Sequence, residues 1–98
     1  MPTIIVKRDP VRGKKHLGTI TILLKDRHNY AVETQQIFTE HGQMILARTG
    51  VNPSRSCVKG CSGLISLFVE GTAKEIADLT KQLNKLYGVV AKKIIITD

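Results

Sequence analysis

Hydrophobic positions along the chain change period several times, and each change marks an element. In residues 17–24, Ile20, Ile22 and Leu24 alternate with Thr19, Thr21 and Leu23, the period of two that predicts a strand. Asp26 follows as a candidate helix cap, because its carboxylate can accept from the unpaired N–H groups of a first turn. Tyr30, Thr34, Ile37, Phe38 and His41 then recur at helical spacing, and Gly42 is placed to stop that helix in the left-handed conformation. Met44 to Val51 predicts a second strand, broken by Asn52, Pro53 and Ser54. Residues 52–63 hold proline, serines, glycines and both cysteines, the composition of a loop. Leu64 to Glu70 predicts a third strand with Ile65, Leu67 and Val69 on one face. Thr72 and Glu75 form a capping-box pattern. Ile76, Leu79, Leu83 and Leu86 make the apolar stripe of a second helix, and Gly88 ends it. Val89 to Thr97 predicts a β-branched fourth strand.

The order is strand, helix, strand, strand, helix, strand. A weak internal repeat at a spacing of about 46 aligns Asp26 with Thr72, Tyr30 with Ile76, Ile37 with Leu83 and Gly42 with Gly88. Two such βαβ halves predict an α+β ferredoxin-like sandwich, a four-stranded antiparallel sheet with both helices on one face. The expected organisation is a basic amino-terminal arm, residues 1–16, followed by one domain, residues 17–98.

That architecture leaves one sheet face without helices, yet both phases of several strands are apolar. Leu23 opposes Ile20, Ile22 and Leu24. Leu64 and Phe68 oppose Ile65, Leu67 and Val69. Met44 and Leu46 oppose Ile45 and Ala47, and Ile95 opposes Ile94 and Ile96. A lone copy would expose apolar surface on the order of several hundred Å², a scale that marks an interaction site. The expected cover is a second copy, giving a homodimer or higher oligomer by sheet stacking or edge pairing. The alternative is the arm, with Thr3, Ile4, Ile5 and Val6, folded over that face.

Length and composition narrow the function classes. At 98 residues the chain cannot hold a large multidomain enzyme. No run approaches the length of a membrane span, and no signal-peptide core precedes the first strand, so the expected compartment is the cytoplasm. Trp is absent and Phe and Tyr total four, thin for a base-stacking platform. The net charge is +7, and most of the excess comes from Lys7, Arg8, Arg12, Lys14 and Lys15. Such an arm suits phosphate backbones or acidic proteins, or serves only as a solvated tail.

Two constellations could carry chemistry. Cys57 and Cys61 form a C-x3-C loop beside Arg55 and Lys59, cations that favour thiolates. The pair could contact a metal ion, with His16, His28, His41 or a second copy completing the ligands. It could also act as a redox pair or remain as idle thiols. No other cofactor is indicated. Arg48, Gly50 and Asn52, at the end of the second strand, set a cation beside approachable backbone and form the candidate effector-binding site for a carboxylate or phosphate. The alternative for Arg48 is the outer sheet face, paired with an acid of another copy. His41 is positioned to favour charge at a helix end. No nucleophile elbow, phosphate loop or paired-carboxylate site occurs, so the expectation is a protein that is not an enzyme.

Gly-x-Ile-x-Ile with Asp26-Arg27, Ile45 with Arg48-x-Gly50-Val51, and Gly63-x-Ile65-Ser66-Leu67-x-Val69-x-Gly71-Thr72 before Glu75-Ile76 form a recognisable series. Leu79-Thr80-x-x-Leu83 and Leu86-x-Gly88-Val89 extend it. The stretch from about 17 to 97 resembles a family of small proteins named as regulators of iron-only hydrogenase systems. The resemblance implies an ACT-like ferredoxin fold, related to the ligand-sensing half of nickel-responsive regulators. It also implies a homo-oligomer and a regulatory role near hydrogenase maturation. Nickel regulators carry a ribbon-helix-helix domain of about 45 residues as well, which sixteen residues cannot supply, so direct DNA binding by that device is not expected. The sequence thus points to a small oligomeric, effector-sensing regulatory module. The alternatives are a metal or redox sensor built on Cys57 and Cys61, or nucleic-acid binding through the arm.

Overall fold

The computed structural model describes residues 14–25, 27–52 and 62–97. Its elements are β1 (Lys15–Leu24), α1 (Arg27–Glu40), β2 (Ile45–Val51), β3 (Gly63–Thr72), α2 (Ala73–Asn84) and β4 (Val89–Ile95). The four strands form one sheet in the order β2-β3-β1-β4, every neighbouring pair antiparallel. This is the expected ferredoxin-like arrangement. β1 begins two residues before its apolar pattern does, because Lys15 and His16 still pair with Thr72 and Gly71 of β3. Backbone pairing thus outlasts the alternation of side chains. Asp26, the proposed cap of α1, lies outside the described residues.

Register explains which strand phase is buried. Ile20 lies opposite Leu67, and Ile22 lies between Ile65 and Ala91. Leu24 lies between Gly63 and Val89. Ile20, Ile22, Leu67 and Val69 are fully buried, and Ile76, Leu79 and Leu83 of α2 close over them. The 3.6-residue stripe of α2 therefore meets the two-residue alternation of β1 and β3. The capping box opens this helix in both directions. Glu75 N–H donates to Thr72 Oγ1 at 3.1 Å, and Thr72 N–H donates to Glu75 Oε1 at 2.8 Å.

Helix α1 contributes less to the core. Phe38 and Thr34 are its buried residues, with Tyr30 and Ile37 half-buried. The buried Thr34 hydroxyl donates to Tyr30 O at 2.8 Å, and Thr80 of α2 donates likewise to Ile76 O. Each helix thus buries a hydroxyl whose hydrogen bond is made within its own backbone.

The two glycine stops differ. Gly88 has φ +80° and turns the chain into β4, and its carbonyl accepts from Lys25 N–H at 2.8 Å. Gly42 does not adopt a positive φ, contrary to the left-handed stop expected of it. Here α1 ends in consecutive tight turns, His41 N–H reaching Ile37 O and Phe38 O, and Gly42 N–H reaching Thr39 O. His41 Nδ1 also donates to Ile37 O at 2.9 Å. The imidazole caps a terminal carbonyl, so a left-handed residue is not needed there.

Two stability outcomes follow from this core. Leu67→Ala should cost about 2–5 kcal/mol by leaving a cavity between sheet and α2, measured by urea unfolding. Gly88→Ala should cost about 1 kcal/mol or more, because the new methyl would meet the Tyr30 ring at 3.4 Å on a backbone of positive φ. Equal midpoints for either variant and the native chain would contradict the assignment.

Candidate functional site

The face without helices carries ordered rows. Across β2-β3-β1-β4 one row runs Val51, Leu64, Leu23 and Val90, all apolar. The next runs Thr49, Ser66, Thr21 and Lys92, and the third Ala47, Phe68, Thr19 and Ile94. A hydroxyl-rich row therefore divides two greasier ones. Val51 is 55% exposed, Phe68 44% and Ile94 59%. Leu17 and Ile96 add further exposed apolar surface toward one end. The rows arise from inverted alternation, since strands burying one phase must present the other. Aliphatic and aromatic side chains at that phase form a surface suited to dry packing rather than solvation.

Strand β2 departs from strict alternation. A bulge between Ile45 and Ala47 places Ile45 opposite Val69 but Ala47 opposite Phe68. The extra residue reverses the phase of everything that follows. Arg48 consequently lies opposite the buried Leu67, on the helix side. The alternative reading of Arg48, on the outer face against another copy, is corrected by this geometry. Its Nη1 donates to Gln35 Oε1 at 2.6 Å, and its guanidinium carbon stands 5.4 Å from the centre of the Phe38 ring. A cation over an aromatic face is held by the ring's negative potential.

Gly50 follows Arg48 on the same face, opposite Ile65. A methyl at Gly50 would meet Ile65 only at ordinary contact distance, so the glycine leaves backbone uncovered beside the guanidinium. Arg48, Gly50 and Asn52 are all exposed. A shallow hollow of about 510 Å³ lies along α1, lined by Ala31, Val32, Gln35, Gln36, Thr39 and Glu40. Gln35 thus joins the hollow to Arg48. The pattern of α1 did not reveal Gln35 as the arginine's partner. Its position three residues before the buried Phe38 was the available signal, because residues three apart share a helix face.

Cys57 and Cys61 lie outside the described residues. Gly63, where β3 begins, pairs with Leu24 at the far end of β1. His16 is at the opposite end of β1, and its Nδ1 donates to Thr97 O at 2.9 Å. His41 is committed to Ile37 O. Among the described residues no three of His, Cys, Asp and Glu gather as metal ligands. No helix among them is long and apolar enough to cross a membrane.

The fold and the family can now be set beside known proteins. An uncharacterized protein, TM1266 from Thermotoga maritima, superposes with a TM-score of 0.74 at 23% identity, covering 86% of this chain and 100% of that one. A nitrogen regulatory PII-like protein, CPII from Thiomonas intermedia K12, bound to ADP, AMP and bicarbonate, reaches a TM-score of 0.48 at 13% identity, covering 85% and 98%. The second likeness is too distant to bear on function. No curated protein sequence matches the chain. The family model described as "TM1266-like: Iron-only hydrogenase system regulator, putative" matches residues 16–93, all of the described strands and helices except the first residue of β1 and the last two of β4, and the chain belongs to that family.

Proposed function

We propose that this protein is a small homo-oligomeric regulatory module, acting in the cytoplasm on an iron-only hydrogenase system without catalysing a reaction itself. The observation that carries the reading is the banded outer sheet face. A two-fold axis would set these apolar rows against the same rows of a second copy, since a closed dimer presents the same patch from both copies. Hydroxyls of Thr49, Ser66 and Thr21 lie between those rows and give a pairing copy a polar register mark.

Effector sensing belongs to the edge beside this face. Arg48, Gly50 and Asn52 form the proposed contact for a small anionic effector. The guanidinium is a planar donor suited to carboxylate or phosphate. Gly50, exposed and without a side chain, permits close approach to the backbone beside Arg48. Because Arg48 also rests on Phe38 of α1, an anion drawing it away would loosen α1 from the sheet. That movement links occupancy to the shape of the oligomer.

Light scattering on the native chain at micromolar concentration should give a mass of at least two copies. Phe68→Asp combined with Ile94→Asp should reduce it to one copy while the helical circular dichroism is retained; a monomeric native chain would remove the basis of the reading. For the edge, citrate or orthophosphate at millimolar concentration should raise the melting temperature of the native chain by about 2–4 °C. Arg48→Gln should abolish that rise, and an equal rise in both would dismiss Arg48 as the anion contact.

A further inference from the structure

The sheet ends at β2 on one side and at β4 on the other. Along an outermost strand the backbone groups alternate, one set pairing with the neighbouring strand and the next pointing away from the sheet. On β4 the two sets can be told apart. Gly88 O, just before the strand, accepts from Lys25 N–H, and Ile96 N–H, just after it, donates to Leu17 O. Even-numbered positions therefore face β1. Val89, Ala91, Lys93 and Ile95 turn their backbone groups outward.

The chain itself meets these outward positions in turn. Val89 N–H donates to Leu86 O at 3.2 Å. Ala91 N–H donates to Asn84 Oδ1 at 2.8 Å, and Asn84 Nδ2 donates to Ala91 O at 3.0 Å. One acceptor and one donor facing the two groups of a single residue are what an added strand would offer. The carboxamide of Asn84 therefore takes the place of one. At the next outward position the device changes. Lys93 pairs with the fully buried Ile20 and so carries its side chain at the phase of the core, yet it is exposed. A charged side chain at the inward phase of an edge strand opposes strand addition, because a covering neighbour would strip it of water.

We propose that Asn84 and Lys93 together close β4 against a second copy of this chain, and so restrict how copies can meet. The partner they exclude is β4 itself. Val89, Val90, Ile94 and Ile95 give this strand the β-branched character that favours pairing, and a two-fold axis at the edge would join two sheets into one. In such a pairing centred on Lys92 and Lys93, like charges would also stand across the ladder. Asn84 is the last residue of α2, whose Ile76, Leu79 and Leu83 are fixed in the core. The amide is thus held beside β4 by the same contacts that build the interior. The closure acts on backbone at the rim and does not depend on the outer face or on any effector.

The test uses the full-length chain and presupposes nothing about its native mass. Asn84→Ala removes both hydrogen bonds while keeping a strong helix former at the end of α2. Lys93→Thr removes the charge and leaves a β-branched residue. By light scattering at micromolar concentration, the double variant should reach at least about twice the native mass, with its helical circular dichroism retained. Asn84→Asp, which still accepts from Ala91 N–H and adds charge at the rim, should keep the native mass. A double variant that melts earlier but keeps the native mass overturns the proposal, since Asn84 then serves only to tie helix to strand. The native chain gives a second readout by amide hydrogen exchange resolved by NMR. Ala91 N–H should exchange about tenfold more slowly than Lys93 N–H, the outward amide that follows it. Equal rates at the two positions overturn the closure, whatever the variants do.

Discussion

A β-sheet has two faces and two edges, and the pairing of β1 with β3 decides what each must meet. Once Ile20 stands opposite Leu67 and Ile22 opposite Ile65, the helix side is determined residue by residue. The other side is determined with it, because side chains alternate without exception along an unbulged strand. Phe68 and Leu23 cannot be drawn into the core unless Leu67 and Ile22 leave it. The apolar outer rows are therefore a direct consequence of the register that builds the interior.

The same logic separates what was legible in the sequence from what was not. Both helices, all four strands and the capping box at Thr72 and Glu75 could be read from period and spacing. So could the apolar character of the outer phase. Those features are local, or repeat regularly enough to survive without tertiary information. The side on which Arg48 lies was not legible, because it turns on a bulge at Ile45 and Ala47. A bulge inserts one residue and leaves no compositional mark, yet it exchanges the faces of every residue downstream. Of the candidate effector site, its three residues and their shared stretch of chain were visible. The support of Arg48 by Gln35 and Phe38 was not, since it joins a helix to a strand.

The two βαβ halves also carry different loads. α2 is clearly amphipathic and covers the centre of the sheet through Ile76, Leu79 and Leu83. α1 places Phe38 and Thr34 inward and leaves Val32 exposed. The sequence repeat aligns Gly42 with Gly88, but only Gly88 adopts a positive φ. At Gly42 the neighbouring His41 closes the helix end through its ring. A helix anchored by few apolar contacts can shift at lower cost than one that fills the core. That places the adjustable part of the molecule beside Arg48, where α1 meets the edge strand.

The contrast between edges follows from the ends of the two helices. α2 ends at Asn84 within reach of Ala91, so the helix that covers β4 also supplies the side chain that closes it. α1 ends at Glu40 and reaches β2 through Gln35, whose contact is with the inward face at Arg48 and not with the outer backbone. The half of the fold with the weaker helix is thus also the half in which, among the described residues, no helix side chain caps the edge strand's outer backbone.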